Sequence, residues 1–131
     1  MCIRDKSAPW SRIAEVYRRS VAALETLPGL VNASAHSSHV YRTGLNLYFS
    51  FALKRDSAEE MERAYFDAWR VVMEATAAAG GGVAHHHGAG RLRKPYLEHD
   101  LGETGVALLR TLKGALDPHH VLNPGNLIPD V

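Results

Sequence analysis

From Leu45 to Leu53 the chain alternates without a break. Leu45, Leu47, Phe49, Phe51 and Leu53 fall on one side of an extended backbone, and Asn46, Tyr48, Ser50 and Ala52 fall on the other. A period of two puts successive side chains on opposite faces of a strand. The run therefore predicts a strand with one apolar face turned to a core and a second face that displays Tyr48. Upstream, Val31 to Tyr41 is rich in Ser, His and Val with a weaker period of two, and Arg42-Thr43-Gly44 can turn the chain. The two segments read as an antiparallel β-hairpin.

On either side the period changes to that of a helix. Trp10, Ile13, Val16, Tyr17, Val21 and Leu24 recur mostly at steps of three or four, which makes one apolar stripe. Pro9 suits the first turn of that helix, where a missing N–H costs nothing, and Leu27-Pro28-Gly29 closes it. A second helix starts at Asp56 or Ser57, with Glu59 and Glu60 in its first turn. It carries Met61, Tyr65, Ala68, Trp69, Val72, Met73 and Thr76 on one face and stops at Gly80-Gly81-Gly82. Trp10, Trp69 and Tyr65 are expected in the core. Val83 to His87 reads as a short strand, Gly88-Ala89-Gly90 as a turn and Arg91 to Pro95 as a basic loop. A last helix is expected from about Glu103 to Leu116, with Val106, Leu109, Leu112 and Leu116 on its face, before a turn-rich tail through Asn123-Pro124-Gly125. The order α-β-β-α-β-α predicts an α+β fold, a small antiparallel sheet with helices packed on one face.

Composition narrows the function classes. The 131 residues suit one domain. Lys and Arg number 15 against 14 Asp and Glu, so no strong field points at nucleic acid or an anionic membrane. The single cysteine, Cys2, excludes an internal disulfide. No apolar run approaches the roughly 20 residues that span a bilayer, and Met1 to Lys6 lacks the core of a signal peptide. The expectation is a soluble protein of a reducing, cytoplasmic compartment with no nucleic-acid partner.

The chemistry gathers at His85-His86-His87, between Gly80-Gly81-Gly82 and Gly88-Ala89-Gly90. On an extended segment His85 and His87 share a face and His86 takes the other. The flanking glycines allow a ligand or another backbone to come close. Imidazole both donates and accepts protons near neutral pH. A metal site needs three or four converging ligands; His36 and His39 could add to the set, but their spacing matches no zinc signature. Three readings stay open on the residues alone: the wall of a flavin or substrate pocket, satisfied structural histidines, or a metal site. Gly88-x-Gly90 followed by Arg91, Arg93 and Lys94 could cradle a phosphate, although a turn before a solvated basic loop accounts for the same residues.

These strings carry a resemblance. His85-His86-His87-Gly88-x-Gly90-x-Leu92-Arg93-Lys94 resembles the histidine-rich active-site loop of the alkyldihydroxyacetonephosphate synthases, flavoproteins of the vanillyl-alcohol oxidase superfamily. Tyr41-x-x-Gly44-x-x-x-Tyr48-Phe49 resembles their pocket strand, and the interval from Tyr48 to the histidines also fits. Leu112-Lys113 to Asp117-Pro118 and Asn123-Pro124-Gly125 resemble the C-terminal signature of the wider FAD-linked oxidases, glycolate oxidase and D-lactate dehydrogenase among them. The likeness runs from about residue 30 to residue 129.

The resemblance implies that residues 1–131 form the C-terminal portion of a ferredoxin-like cap or substrate domain. FAD would be bound mainly by an N-terminal domain of the same polypeptide that is absent here. Met1 is then an internal methionine or a truncated gene start, and the chain alone would neither hold FAD tightly nor turn over. The implied reaction is ether-lipid synthesis, in which the acyl group on dihydroxyacetone phosphate is exchanged for an alkyl group at the flavin with no net redox change. Tyr48 would be the acid/base, with His85, His86 and His87 as the other catalytic groups. A phenol with its ordinary pKa of about 10 is a poor base, and imidazoles donating hydrogen bonds to the phenolate would correct that. His86, His87, Gly88 and Asn123 would face the cofactor, and Tyr41 and Arg93 the small phosphate or lipid substrate. The full-length enzyme would be soluble or membrane-peripheral, with room for a homodimer. In the metal-dependent relatives two His and one Glu are ligands; those positions fall on Tyr41, Tyr48 and His86 here, so no metal is expected. The alternatives are an FAD-dependent 2-hydroxy-acid oxidase or dehydrogenase of the glycolate or D-lactate type, and a non-catalytic ferredoxin-like binding module.

Overall fold

The computed structural model describes residues 2–129, so Met1 lies outside it. It is an α+β fold with a three-stranded antiparallel sheet in the order β1-β3-β2. The strands are β1 (Cys2–Pro9), β2 (Leu30–His36) and β3 (Gly44–Leu53); helix α1 (Ile13–Glu25) joins β1 to β2, and α2 (Ala58–Ala78) follows β3. A short helix α3 (Gly90–Arg93), a 3-10 turn at Lys94–Tyr96 and α4 (Leu97–Leu116) complete the chain before an irregular tail.

The alternation of β3 places it as the central strand. Leu47, Phe49 and Phe51 are buried, and Leu45 and Leu53 pack at the margin of the same cluster. Against this face lie Val16 and Leu24 of α1 and Ala68, Trp69, Val72 and Met73 of α2. Where the two helices meet, Ser20 Oγ and Thr76 Oγ1 are 3.2 Å apart and fully buried, so each hydroxyl answers the other. Helix α2 begins as its sequence requires: Ser57 accepts from the Glu60 N–H at 3.2 Å.

Several expectations are corrected. The third strand is Cys2–Pro9, not Val83 to His87. Its run of charged residues has no period of two, and it is held by pairing with β3, from Cys2 opposite Ser50 to Pro9 opposite Gly44. Pro9 therefore ends a strand at a sheet edge, where its missing N–H is harmless, and α1 starts later at Ile13. Val83 to His87 forms no strand beyond the single bridge of Gly82 with Ser7. The basic segment after Gly90 is helical, and the last helix begins at Leu97 with a break at Gly102 (φ 69°, ψ 168°). Trp10 is half exposed, its Nε1–H donating to the Arg42 carbonyl at 3.2 Å. On α4 Leu97 and Val106 are buried; Leu112 and Leu116 of the expected inner face are exposed, as are Leu101, Leu108, Val121 and Leu122. An amphipathic period fixes which side chains share a face, not whether this chain covers that face.

Gly44 tests the pairing of β1 with β3. A Cβ there would stand 2.1 Å from the Ala8 carbonyl oxygen and 2.8 Å from the Pro9 Cα, backbone atoms that cannot step aside. Gly44→Ala is expected to destabilise the chain by about 1–3 kcal/mol, read as a lowered midpoint in urea unfolding. An unchanged midpoint would contradict the register.

Candidate active site

The second face of β3 is where the candidate side chains meet. In the β2–β3 register His36 lies opposite Tyr48, which puts both rings on one face at the close spacing of cross-strand neighbours. They stack with centroids 5.3 Å apart and planes at 20°. The connection after β2 then folds back over Tyr48. Buried Asn46 organises it: its Oδ1 accepts from the N–H groups of Ser38 (3.2 Å) and His39 (2.9 Å), and its own N–H donates to the His39 carbonyl at 3.1 Å. His39 is thereby held 6.4 Å from the Tyr48 ring and 4.9 Å from the His86 ring. Tyr41 meets His85 edge-on at 5.4 Å. Tyr48 is only 9% exposed, so the face expected to be displayed is covered by imidazoles.

The histidine loop comes to this face without secondary structure of its own. Charged side chains satisfy its backbone. The Asp100 carboxylate accepts from the Val83 N–H (3.0 Å) and Ala84 N–H (3.4 Å). Lys6 Nζ donates to the Val83 carbonyl at 3.0 Å, and Arg93 donates to the Gly88 carbonyl at 2.8 Å. Between them, Asp5 Oδ2 accepts from the backbone N–H groups of His85, His86 and His87 at 3.1, 3.0 and 2.9 Å. Asp5 reaches them from a bulge, since Ile3 and Lys6 oppose Phe49 and Leu47, and it adopts φ +82°. A bulge re-aims a side chain that a regular strand would place elsewhere. Burial alone would raise the Asp5 pKa. The N–H groups of His87, His85 and His86 and the charge of the His86 ring outweigh it, and the carboxyl ends below its ordinary range.

The loop is therefore curled, and all three imidazoles converge rather than alternate. Tyr48 Oη lies 3.3 Å from His86 Nε2. His87 stands 6.4 Å from the Tyr48 ring and 4.2 Å from His86. Of the residues anticipated from sequence, Tyr41, Tyr48, His85, His86, His87 and Gly88 are brought together. Arg93 is not on the open side: it is buried beneath the loop, 5.3 Å over the Trp69 ring, and supports Gly88 from behind. Asn123 sits in a separate groove between α4 and the tail with Arg110, Lys113 and His120. Arg91 and Lys94 donate to the Pro124 and Gly125 carbonyls of that tail at 3.4 and 3.3 Å, so the suspected phosphate cradle ties down the tail. Sequence reasoning missed Asp5, Lys6 and Asp100, for which no signal existed. His36 had one, its position on the strand that pairs with Tyr48; His39 lies on the connection that follows that strand.

Among the described residues two groups of donors lie close enough for a cation: His39, His85 and His86, and Asp5, His86 and His87, the ligand atoms of each within 4.8 Å of one another. Toward a flavin, the fit is that of a wall. His86 keeps 42% of its side chain exposed, and Gly88 (φ +73°) has nothing within 4 Å of where a Cβ would stand. A flat ring system could lie against imidazole edges and bare backbone there.

Residues 1–127 match the family model of FAD linked oxidases, C-terminal domain. The chain belongs to that family. The family is one of enzymes, and its members include proteins of different named activity. The chain is similar to alkyldihydroxyacetonephosphate synthase of Dictyostelium discoideum, 34% identical over 97 residues covering 74% of the chain and 16% of that protein. It is similar to an uncharacterized FAD-linked oxidoreductase of Escherichia coli (strain K12), 30% identical over 132 residues, 95% of the chain and 27% of that protein. The mitochondrial D-lactate dehydrogenase [cytochrome] of Arabidopsis thaliana is 28% identical over 127 residues, 97% of the chain and 21% of its own length. The chain thus spans about a quarter or less of these relatives. No helix among the described residues is long and apolar enough to cross a membrane.

Lys6 gives the site a pH signature. Burial, with Arg93 nearby, lowers its pKa to about 7 despite the opposing pull of Asp5 and Asp100. Between about 7 and the ordinary 10.5 the unfolded chain binds the proton and the folded chain does not, so stability rises with pH across that window. Urea midpoints measured from pH 6 to 10 are expected to climb for the wild type and to climb less for Lys6→Met. Equal slopes would remove Lys6 as the titrating group.

Proposed function

We propose that this chain is the substrate-side wall of an FAD-dependent enzyme of the alkyldihydroxyacetonephosphate-synthase type, completed by an FAD-binding domain of the same polypeptide. The observation that carries the reading is the pairing of Tyr48 Oη with His86 Nε2 at 3.3 Å inside a ring of imidazoles. Such a phenol can take a proton from a substrate carbon and return it. The imidazole beside it supports the charged form by hydrogen bonding. FAD, when bound, supplies the centre at which an acyl group is exchanged for an alkyl group. The chain's own groups do the rest: Tyr48 holds the mobile proton at Oη, His86 and His87 present the exposed edges, and Tyr41 with His85 closes the rim. The exposed leucines of α4 suit a surface covered by the larger domain, and they count against a free-standing binding module with a closed core.

Oxidation of a 2-hydroxy acid of the glycolate or D-lactate type is the second reading. It is favoured by the likeness to D-lactate dehydrogenase over 97% of the chain. The same Tyr48–His86 pair would then take the hydroxyl proton. Turnover of dihydroxyacetone phosphate esters against 2-hydroxy acids separates the two.

A cation is not part of this proposal. Asp5 Oδ2 is engaged by three N–H groups, and His86 Nε2 faces Tyr48. The chain purified alone is expected to be colourless and to carry less than stoichiometric zinc or iron by elemental analysis. Bound FAD or a tightly held metal lost on His87→Ala would overturn that assignment.

In the flavin-loaded full-length enzyme, Tyr48→Phe is expected to keep fold and flavin content, because only a hydroxyl is removed. It should lower kcat by roughly 10²–10⁴, the worth of a positioned acid/base. Near-wild-type turnover would take Tyr48 out of the mechanism.

A further inference from the structure

Asp5 Oδ2 and His86 Nε2, the two atoms that argue against a resident metal, leave a second set of donors beside them. Asp5 Oδ1 lies 3.1 Å from His85 Nδ1 and 3.2 Å from His86 Nδ1, and the two nitrogens are 2.7 Å apart. One carboxylate oxygen and two imidazole nitrogens thus form a small triangle. Asp5 is fully buried, but His86 keeps 42% of its side chain exposed, so one corner is open to solvent.

The three atoms share one need. Imidazole nitrogens at 2.7 Å repel unless something positive lies between them, and the carboxylate oxygen brings further lone pairs to the same point. A single hydrogen serves two of the three atoms; a cation serves all three. A tetrahedral ion with bonds of about 2.0–2.1 Å spaces its ligand atoms about 3.3–3.4 Å apart, so the two rings have to part by roughly 0.6 Å. That is a small movement for a ring as exposed as His86. A fourth donor stands by: the ligand atom of His39 is within 4.8 Å of those of His85 and His86. Asn46 holds the His39 backbone at both N–H and carbonyl. Ser38 Oγ meets His39 Nδ1 at 3.0 Å, which leaves Nε2 for the cluster.

We infer that Asp5 Oδ1, His85 Nδ1, His86 Nδ1 and His39 form an exchangeable site for a borderline divalent cation, Zn²⁺ or one of its first-row neighbours. The donors decide the class. Imidazole suits these ions, whereas Ca²⁺ and Mg²⁺ take sites built of oxygen. The ion is taken up from solution and not carried through purification, because it must part the two rings and displace their protons. The set is not the one expected of the metal-dependent relatives, two of whose three positions are Tyr41 and Tyr48 here. It draws on residues 5, 39 and 85 instead, and Tyr48 is not a ligand, so it stands apart from the reading of Tyr48 as the acid/base.

The informative substitution is His85→Ala. It removes one corner of the triangle and leaves Asp5 Oδ2 to the three loop N–H groups, so the loop keeps its fastening. A change at Asp5 would disturb ligand and fastening together and could not tell them apart.

The test titrates the chain with Co²⁺, followed by its visible absorption, and then displaces the cobalt with Zn²⁺. One saturable site per chain is expected. On the chain labelled with ¹⁵N at histidine, Zn²⁺ should move the ring nitrogens of His39, His85 and His86 far more than those of His36, His99, His119 and His120. His85→Ala should weaken binding by at least about 100-fold, since even an outer partner of a metal ligand is worth roughly 10–100-fold. Tyr48→Phe should bind as the wild type does. A wild-type chain that shows no saturable cobalt binding would overturn the inference without any variant having to fold. So would shifts centred on His119 and His120, undiminished binding in His85→Ala, or loss of the ion in Tyr48→Phe.

Discussion

One buried carboxylate organises the functional face. Three successive backbone N–H groups, those of His85, His86 and His87, converge on Asp5 Oδ2 within 3.1 Å. A peptide N–H taken out of water without a partner costs free energy, and a curled loop has no ladder to supply partners. Asp5 supplies all three at once. A buried carboxylate is itself costly unless it is hydrogen-bonded, so each side of the contact removes the other's penalty. The arrangement needs φ +82° at a non-glycine residue, a conformation that is retained only where the surroundings over-determine it.

The rest of the loop follows the same rule. Asp100, Lys6 and Arg93 take the remaining backbone groups at Val83, Ala84 and Gly88. Lys6 and Arg93 in turn lie over the Trp69 ring at 5.1 and 5.3 Å, which fastens the loop to α2 and to the core beneath the sheet. Placing a lysine there has a cost, shown by its pKa near 7, and a loop held by charged side chains is coupled to pH for that reason. Tyr48 stands between the two halves of the molecule, on the strand that the core holds and under the imidazoles that the loop presents.

Much of this was legible from residue patterns. The period of two from Leu45 to Leu53 marked the central strand and its core face. The period of α2 and its Ser57 cap marked the helix that packs on it. The family strings around Tyr41, Tyr48 and His85–His87 pointed to residues that the fold does gather. The failures share one physical cause. β1 has no alternation of its own and is a strand because β3 offers it partners. Val83–His87 has the look of a strand but finds carboxylates in place of a neighbouring strand. Leu112 and Leu116 have the spacing of a buried face, but no element among the described residues lies over them. In each case the deciding group is distant in sequence.

By itself, then, the sequence determined those properties that depend on neighbours along the chain: which side chains share a strand face or a helix stripe, where α2 is capped, and which chemistry is available. Local sterics and hydrogen bonding set these within a few residues. Tertiary structure alone decided that an aspartate at position 5 would meet histidines 80 residues further on, that His86 would face Tyr48 across a separation of 38 residues, and that Arg93 would turn inward. Those contacts exist because a bulge, a register and a curled loop bring groups together in space, and backbone hydrogen bonds left open by local structure are closed by whichever charged side chain the fold delivers.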